Sequence, residues 1–258
     1  MPERGKQTPA PALPPVLCYH KIESRREIGV TRLAPRRFAR QMEGLARDGW
    51  RALSLDDLDR CARAEAPVPP RSVVITLDDA YRGLRTHAFP LLASLGFPAI
   101  CAVITDYAGR LNRWDVAVGG RAFAHLAWRD IERWAGRGIT FVSHSASHPR
   151  LTWLTAGAVA GELARSRDAL QAVLGTHPRA VAYPFGAAGP RERSIARQEG
   201  YATGLHLVVR WYGDPMALPR TPVYPWSRGV PIPGALEHGI ASIVTRMSIA
   251  ASAWRALA

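Results

Sequence analysis

The chain has 258 residues, 47% hydrophobic and 21% charged, which suits one globular domain of barrel or doubly wound size and excludes a disordered or fibrous protein. Its formal net charge of +13 comes mostly from arginines spread along the chain without interleaved aromatics. That pattern argues against a nucleic-acid partner; such a field would instead attract an anionic substrate or the anionic face of a membrane.

The first fifteen residues carry prolines at 9, 11, 14 and 15 in place of the apolar core of a secretory signal, and read as a disordered proline-rich start. No apolar run is long enough to span a bilayer, and Cys18, Cys61 and Cys101 show no CxxC spacing. Cys18 and Cys101 fall in apolar runs, as buried free thiols do. A cytoplasmic protein is expected, one able to reach the inner membrane surface.

From residue 16 onward, strand-length apolar runs alternate with helical patterns, the signature of βα units around a mainly parallel sheet. Strands are expected at Val16 to Tyr19, Trp50 to Leu53, Ser72 to Leu77, Pro98 to Ile104, Ile139 to Val142, Ala180 to Tyr183 and Ala202 to Val209. Between them, helices are expected at Pro35 to Arg47, Leu55 to Ala64 with Ser54 as N-cap, Thr86 to Leu95, Trp128 to Ala135, Ala156 to Leu174 with Thr155 as N-cap, and Arg191 to Gln198. Thr105 to Phe123 reads as a long lid or active-site loop, Pro215 to Pro233 as a proline-rich connection, and Ala235 to Ala256 as a final helix. Residues 16–258 thus read as one α/β domain, a distorted (β/α) barrel of about seven strands.

Three strand ends carry chemistry. Asp78-Asp79 follows a β-branched strand, and adjacent carboxylates there are costly unless a cation receives them. His144 and His148, four apart in His-Ser-Ala-Ser-His-Pro, follow another strand; with one carboxylate they make three protein ligands of an open metal site. Zinc, iron(II) and other divalent ions accept that set, so the set does not fix which metal is bound, and zinc is taken as the expectation without being derived from it. Tyr183-Pro184-Phe185-Gly186 ends a third strand, where a tight turn can aim backbone N–H groups at a developing oxyanion. His20 closes the first strand and faces the same end.

These motifs resemble the polysaccharide deacetylases of the NodB-homology type, the fourth family of carbohydrate esterases. The family's Thr-Phe-Asp-Asp-Gly stands here as Thr76-Leu77-Asp78-Asp79-Ala80, its His-Ser/Thr-x-x-His-Pro as His144 to Pro149, and its Arg-x-Pro-Tyr-Gly as Ala182-Tyr183-Pro184-Phe185-Gly186, over roughly residues 16 to 210. The resemblance implies that Asp79, His144 and His148 hold one divalent metal ion, that Asp78 is the general base, and that the Phe185 N–H helps bind the oxyanion. Tyr19-His20 is similar to the start of the permuted branch, in which the leaving-group acid comes first. That assigns the role to His20, with His206 in Leu205-His206 the competing candidate. Ala80 stands where the family has glycine and Ala182 where it has the arginine that orients the catalytic aspartate, and no Asp-x-x-Asp-Trp motif follows; Arg220 is the candidate replacement guanidinium.

The implied activity is hydrolysis of the N-acyl, normally N-acetyl, amide of an amino sugar in a polysaccharide or glycoconjugate. A lipid-linked amino sugar at the membrane surface, carrying acetyl or formyl, and a non-catalytic carbohydrate-binding relative are the alternatives. Tyr107, Trp114, Trp211, Tyr224 and Trp226 are aromatics able to stack on sugar rings, although core packing is the commoner use of such residues.

Overall fold

The structure, a computed structural model, describes residues 11–25, 31–112, 122–207, 211–227 and 230. The final helix expected at Ala235 to Ala256 and most of the proline-rich start lie outside these residues, as does Trp114.

The elements in chain order are β1 (Val16–Tyr19), β2 (Lys21–Ile22), β3 (Arg32–Leu33), α1 (Pro35–Arg47), β4 (Arg51–Leu53), α2 (Leu55–Ala62), β5 (Ser72–Leu77), α3 (Leu84–His87), α4 (Phe89–Ser94), β6 (Ala99–Val103), α5 (Trp128–Ala135), β7 (Ile139–Ser143), α6 (Ala156–Leu174), β8 (Ala180–Ala182), α7 (Pro190–Gln198), β9 (Thr203–His206), β10 (Leu218–Pro219) and β11 (Thr221–Pro222). All seven expected strands form. Helix starts and stops follow their signals: Ser54 and Asp57 make a reciprocal capping box on α2, Thr155 caps α6, and Gly175 ends α6 at φ 69°. One helix expectation is corrected. The helix expected at Thr86 to Leu95 starts earlier and is split into α3 and α4, because Pro90 has no N–H to donate to the preceding turn.

The sheet runs β10-β9-β8-β7-β6-β5-β1-β11, with β4 also pairing on β5, and every pairing is parallel. Its two ends belong to one segment. Leu218 and Pro219 pair with β9, Thr221 and Pro222 pair with β1, and Arg220 lies between them. This crossing nearly closes the barrel, so β10 and β11 add to the expected strands two short ones from a stretch that reads as loop.

Strand alternation splits the core in two. Leu17, Tyr19, Val73, Ile75 and Leu77 pack against Phe38, Met42, Phe89 and Leu92 of the helices. Val16, Val74, Ile100, Val142, Ala182, Leu205 and Leu218 pack with one another and with Leu55 and Leu58 of α2. Burying each of the larger side chains stabilises the fold by roughly 1.5–3 kcal/mol. The result is a rigid frame whose strand ends are fixed relative to one another.

Candidate active site

The carboxyl ends of parallel strands share one face of the barrel, and four of them deliver the candidate site residues there. His20 follows β1, Asp78 and Asp79 follow β5, His144 follows β7, and Tyr183 to Gly186 follow β8. Ordinary alternation would turn Asp78 and Asp79 to opposite faces. The backbone prevents this by entering the left-handed region at Asp79 (φ 68°) and Ala80 (φ 51°). Both carboxylates therefore approach His144 Nε2, Asp78 Oδ2 at 3.9 Å and Asp79 Oδ1 at 3.3 Å. The φ of Ala80 also explains why the related motif carries glycine there: glycine adopts that conformation without steric cost. Ser145, His148 and Phe185 are left-handed too, so this mouth collects strained, non-glycine backbone.

Asp79, His144 and His148 each offer a ligand atom, and these atoms lie within 4.8 Å of one another in a buried group. His148 Nε2 is 3.6 Å from Asp79 Oδ1, an oxygen that is buried and makes no well-formed hydrogen bond. His144 Nδ1 lies 2.6 Å from the Ala182 carbonyl. A carbonyl accepts only, so Nδ1 carries a proton and Nε2 is the nitrogen turned toward Asp79. A buried carboxylate oxygen faced by two imidazole nitrogens matches the kind of donor set that a divalent cation accepts. The residues fit the metal that the sequence motifs imply.

The electrostatics agree. Burial alone would raise the Asp78 pKa, but the Arg220 guanidinium, with help from His144 and His20, holds it down at about 2. Asp79 is likewise kept ionised against burial, chiefly by His144 and His148. Burial, together with the neighbouring charge of His144, pushes His148 down to about 3, so at ordinary pH its ring is neutral, the form in which imidazole ligates a metal. Burial opposes charge on His144 as well, but Asp78 and Asp79 outweigh it and raise its pKa.

Arg220 is buried, with Nη1 2.7 Å from Asp78 Oδ1 and 3.3 Å from Thr76 Oγ1. A guanidinium from the barrel seam thus stands on the carboxylate that would otherwise lack one, because position 182 is alanine. His20 is half-buried and has a ring nitrogen within 4.8 Å of an Asp78 oxygen. His206 is not brought to this group: its Nε2 is occupied at the Ala188 backbone, 3.1 Å from N and 3.0 Å from O, and burial lowers its pKa. The Phe185 ring packs 4.7 Å from the His148 ring. Trp226 is exposed and stacks on Tyr224 with centroids 4.9 Å apart.

Supporting residues escape a motif search. Glu162 of α6 accepts hydrogen bonds from the N–H groups of Ala146 (3.1 Å) and Ser147 (2.8 Å) and from Ser147 Oγ (3.0 Å), and pairs with Arg165. One turn further, Ser166 accepts from Ser143 Oγ at 2.8 Å, while Ser143 Oγ in turn receives the Ser145 N–H at 3.2 Å. One helix therefore holds both ends of the loop that carries the two histidines. A signal exists in the sequence: Glu162 and Ser166 interrupt the inward stripe of Val159, Leu163 and Leu170. His125 is also missed; its Nδ1 lies 2.6 Å from the Asp79 carbonyl and pins that left-handed residue.

Residues 65–204, over half the chain, match the family described as polysaccharide deacetylase. The chain belongs to the polysaccharide deacetylase family. Within it, the Bacillus subtilis protein YxkH is 25% identical over 199 residues, 77% of this chain and 66% of that protein. The Escherichia coli poly-beta-1,6-N-acetyl-D-glucosamine N-deacetylase is 31% identical over 111 residues, 41% of this chain but only 16% of that enzyme. The chain thus spans just under two thirds of the first relative and a small part of the second. Among solved structures, IcaB from Ammonifex degensii superposes with a TM-score of 0.72 at 24% identity, covering 85% of this chain and 94% of that one. Streptococcus pyogenes deacetylase PplD, in complex with acetate, gives 0.72 at 22% identity, covering 83% and 94%. These likenesses establish the NodB-type barrel, and no helix among the described residues is long and apolar enough to cross a membrane.

Proposed function

We propose that this member of the polysaccharide deacetylase family hydrolyses the N-acetyl amide of an amino sugar in a polysaccharide, with one divalent metal ion, zinc by preference, held by Asp79, His144 and His148. The observation that carries the reading is the convergence of those ligand atoms within 4.8 Å, with the buried Asp78–Arg220 pair directly beside them. The name and likeness of the Escherichia coli enzyme support a polymer of N-acetylglucosamine as the substrate class.

When bound, the metal supplies Lewis-acid polarisation of the acetyl carbonyl and an acidified water. The chain's own residues handle the protons. Asp78, ionised and aimed by Arg220, takes the proton of the attacking water, help typically worth about a hundred- to ten-thousand-fold. The Phe185 N–H, on its left-handed turn, donates to the oxygen on which negative charge develops. His20, half-buried at the same mouth, gives its proton to the sugar nitrogen as the C–N bond breaks. Water and amide become acetate and a free amine.

The test is release of acetate and free amine from β-1,6- and β-1,4-linked N-acetylglucosamine oligomers by the metal-supplemented protein, with formylated and lipid-linked amino sugars in parallel. Release that stops with chelator and in Asp78→Asn supports the reading. Release unaffected by chelation, or none from any acetylated substrate, contradicts it.

A further inference from the structure

A second set of cation donors stands beside the first. Cys18, His20 and Asp78 offer a thiol sulfur, an imidazole nitrogen and a carboxylate oxygen within 4.8 Å of one another. Strand geometry puts them there. Cys18 and His20 are two residues apart and face the same side, as do Thr76 and Asp78 on the neighbouring strand. The register pairs Cys18 with Thr76 and Tyr19 with Leu77, so the next step brings His20 level with Asp78. Cys18 is buried, as an apolar-strand thiol should be, but it is not merely core: its Sγ lies 3.4 Å from Asp78 Oδ2.

The two oxygens of Asp78 are used differently. Oδ1 is taken by Arg220 at 2.7 Å. Oδ2 faces Cys18 and, at 3.9 Å, His144 Nε2. Oδ2 is thus the oxygen a cation at Cys18 and His20 would engage, and His20, being only half-buried, opens that position to solvent. Sulfur, imidazole and a single carboxylate form a soft donor set, suited to zinc or cadmium and not to magnesium or calcium.

We propose that Cys18, His20 and Asp78 form a second, weaker site for a thiophilic divalent cation, and that its occupancy shuts the enzyme off. As the sulfur–metal bond forms, the thiol releases its proton to solvent. The site is weaker than the first for physical reasons: its carboxylate is already engaged by the Arg220 guanidinium, a single imidazole serves it where the first has two, and a cation at Asp79 repels a second one. Inhibition follows from the roles proposed above, since the cation would take both Asp78 and His20 out of proton transfer. That half rests on the proposed function; the binding half does not.

Cadmium titration of the purified chain tests both, using ions bound at equilibrium dialysis and the ultraviolet thiolate-to-cadmium charge-transfer band. The expected result is a first ion bound without the band and a second, at least tenfold weaker, with it. Cys18→Ala and Cys18→Ser should keep the first ion and lose the second together with its band, whereas Cys61→Ala and Cys101→Ala should keep both. Excess zinc should inhibit amide hydrolysis, with its midpoint raised at least tenfold in Cys18→Ser. A single ion without the band in the parent, or a band that survives in both Cys18 variants, overturns the proposal. A band-bearing ion as the only one bound would leave this site standing and refute the Asp79–His144–His148 site.

Discussion

Arg220 Nη1 lies 2.7 Å from Asp78 Oδ1, a buried ion pair joining residues 142 positions apart. The guanidinium comes from the residue at which the closing segment leaves β9 and joins β1, so closing the barrel and holding the candidate base are one event. Because burial acts to raise the Asp78 pKa and Arg220 is the foremost group opposing it, removing the guanidinium leaves burial less opposed. Arg220→Ala is expected to move the acid limb of the pH–rate profile upward from about 2, with metal content retained. Turnover should fall by about a hundredfold or more, in line with the usual worth of a general base. Stability should also drop by roughly 3–5 kcal/mol, the cost of stranding a buried charge. A profile superimposable on the parent's would remove Arg220 from the mechanism.

The same pair sets a pH dependence of stability. The Asp78 pKa in the folded chain, about 2, is below its ordinary value of 3.8. Its stabilisation is therefore complete above that ordinary value and is lost as pH falls through the folded value. The amount is on the order of 2 kcal/mol. Acid denaturation followed by circular dichroism should show a shallower loss of stability between pH 4 and 2 in Asp78→Asn than in the parent; equal slopes would mean that Asp78 is not depressed.

His20 and His206 divide by geometry: one reaches Asp78, the other is spent on the Ala188 backbone. His20→Ala should lower turnover of acetamido sugars by about a hundredfold or more, and much less for an aryl acetate, whose leaving group needs no proton. His206→Ala should cost stability, with turnover by the folded fraction near the parental value. Equal losses on both substrates would argue that His20 only holds structure.

Glu162 tests whether α6 builds the histidine loop. Glu162→Ala leaves the Ala146 and Ser147 N–H groups without their carboxylate, so zinc affinity should fall by about ten- to a hundredfold, as when a ligand's outer support is lost. Glu162→Gln keeps an accepting oxygen and should recover most of it. Competitive chelator titration reads the difference directly, and unchanged affinity in the alanine variant would reduce Glu162 to a packing role.

What the sequence revealed follows from which interactions are local. Buried parallel strands such as Ser72–Leu77 and Ala99–Val103 appear as uninterrupted apolar runs, and Asp79, His144 and His148 stand at their ends in recognisable spacings. The closing strands were hidden because each is two residues long and carries a proline, Pro219 or Pro222, which marks a loop in any pattern reading. The strand signal at Val16–Tyr19 marks Cys18 as buried but does not say that its sulfur touches Asp78. Arg220 was legible only as a candidate, since nothing in Leu-Pro-Arg announces a partner so distant in the chain. Long-range pairs of this kind become visible only when the register of the sheet is known.

In the proposed function everything at the barrel mouth depends on one divalent ion tightly bound by Asp79, His144 and His148 next to Asp78. Metal content of the dialysed protein after zinc loading, measured for the parent, Asp79→Ala, His148→Ala and Asp78→Asn, addresses it most directly. One retained ion per chain is expected in the parent and in Asp78→Asn, and none in the other two; an ion held by Asp79→Ala and His148→Ala at parental affinity would show that these side chains do not bind it.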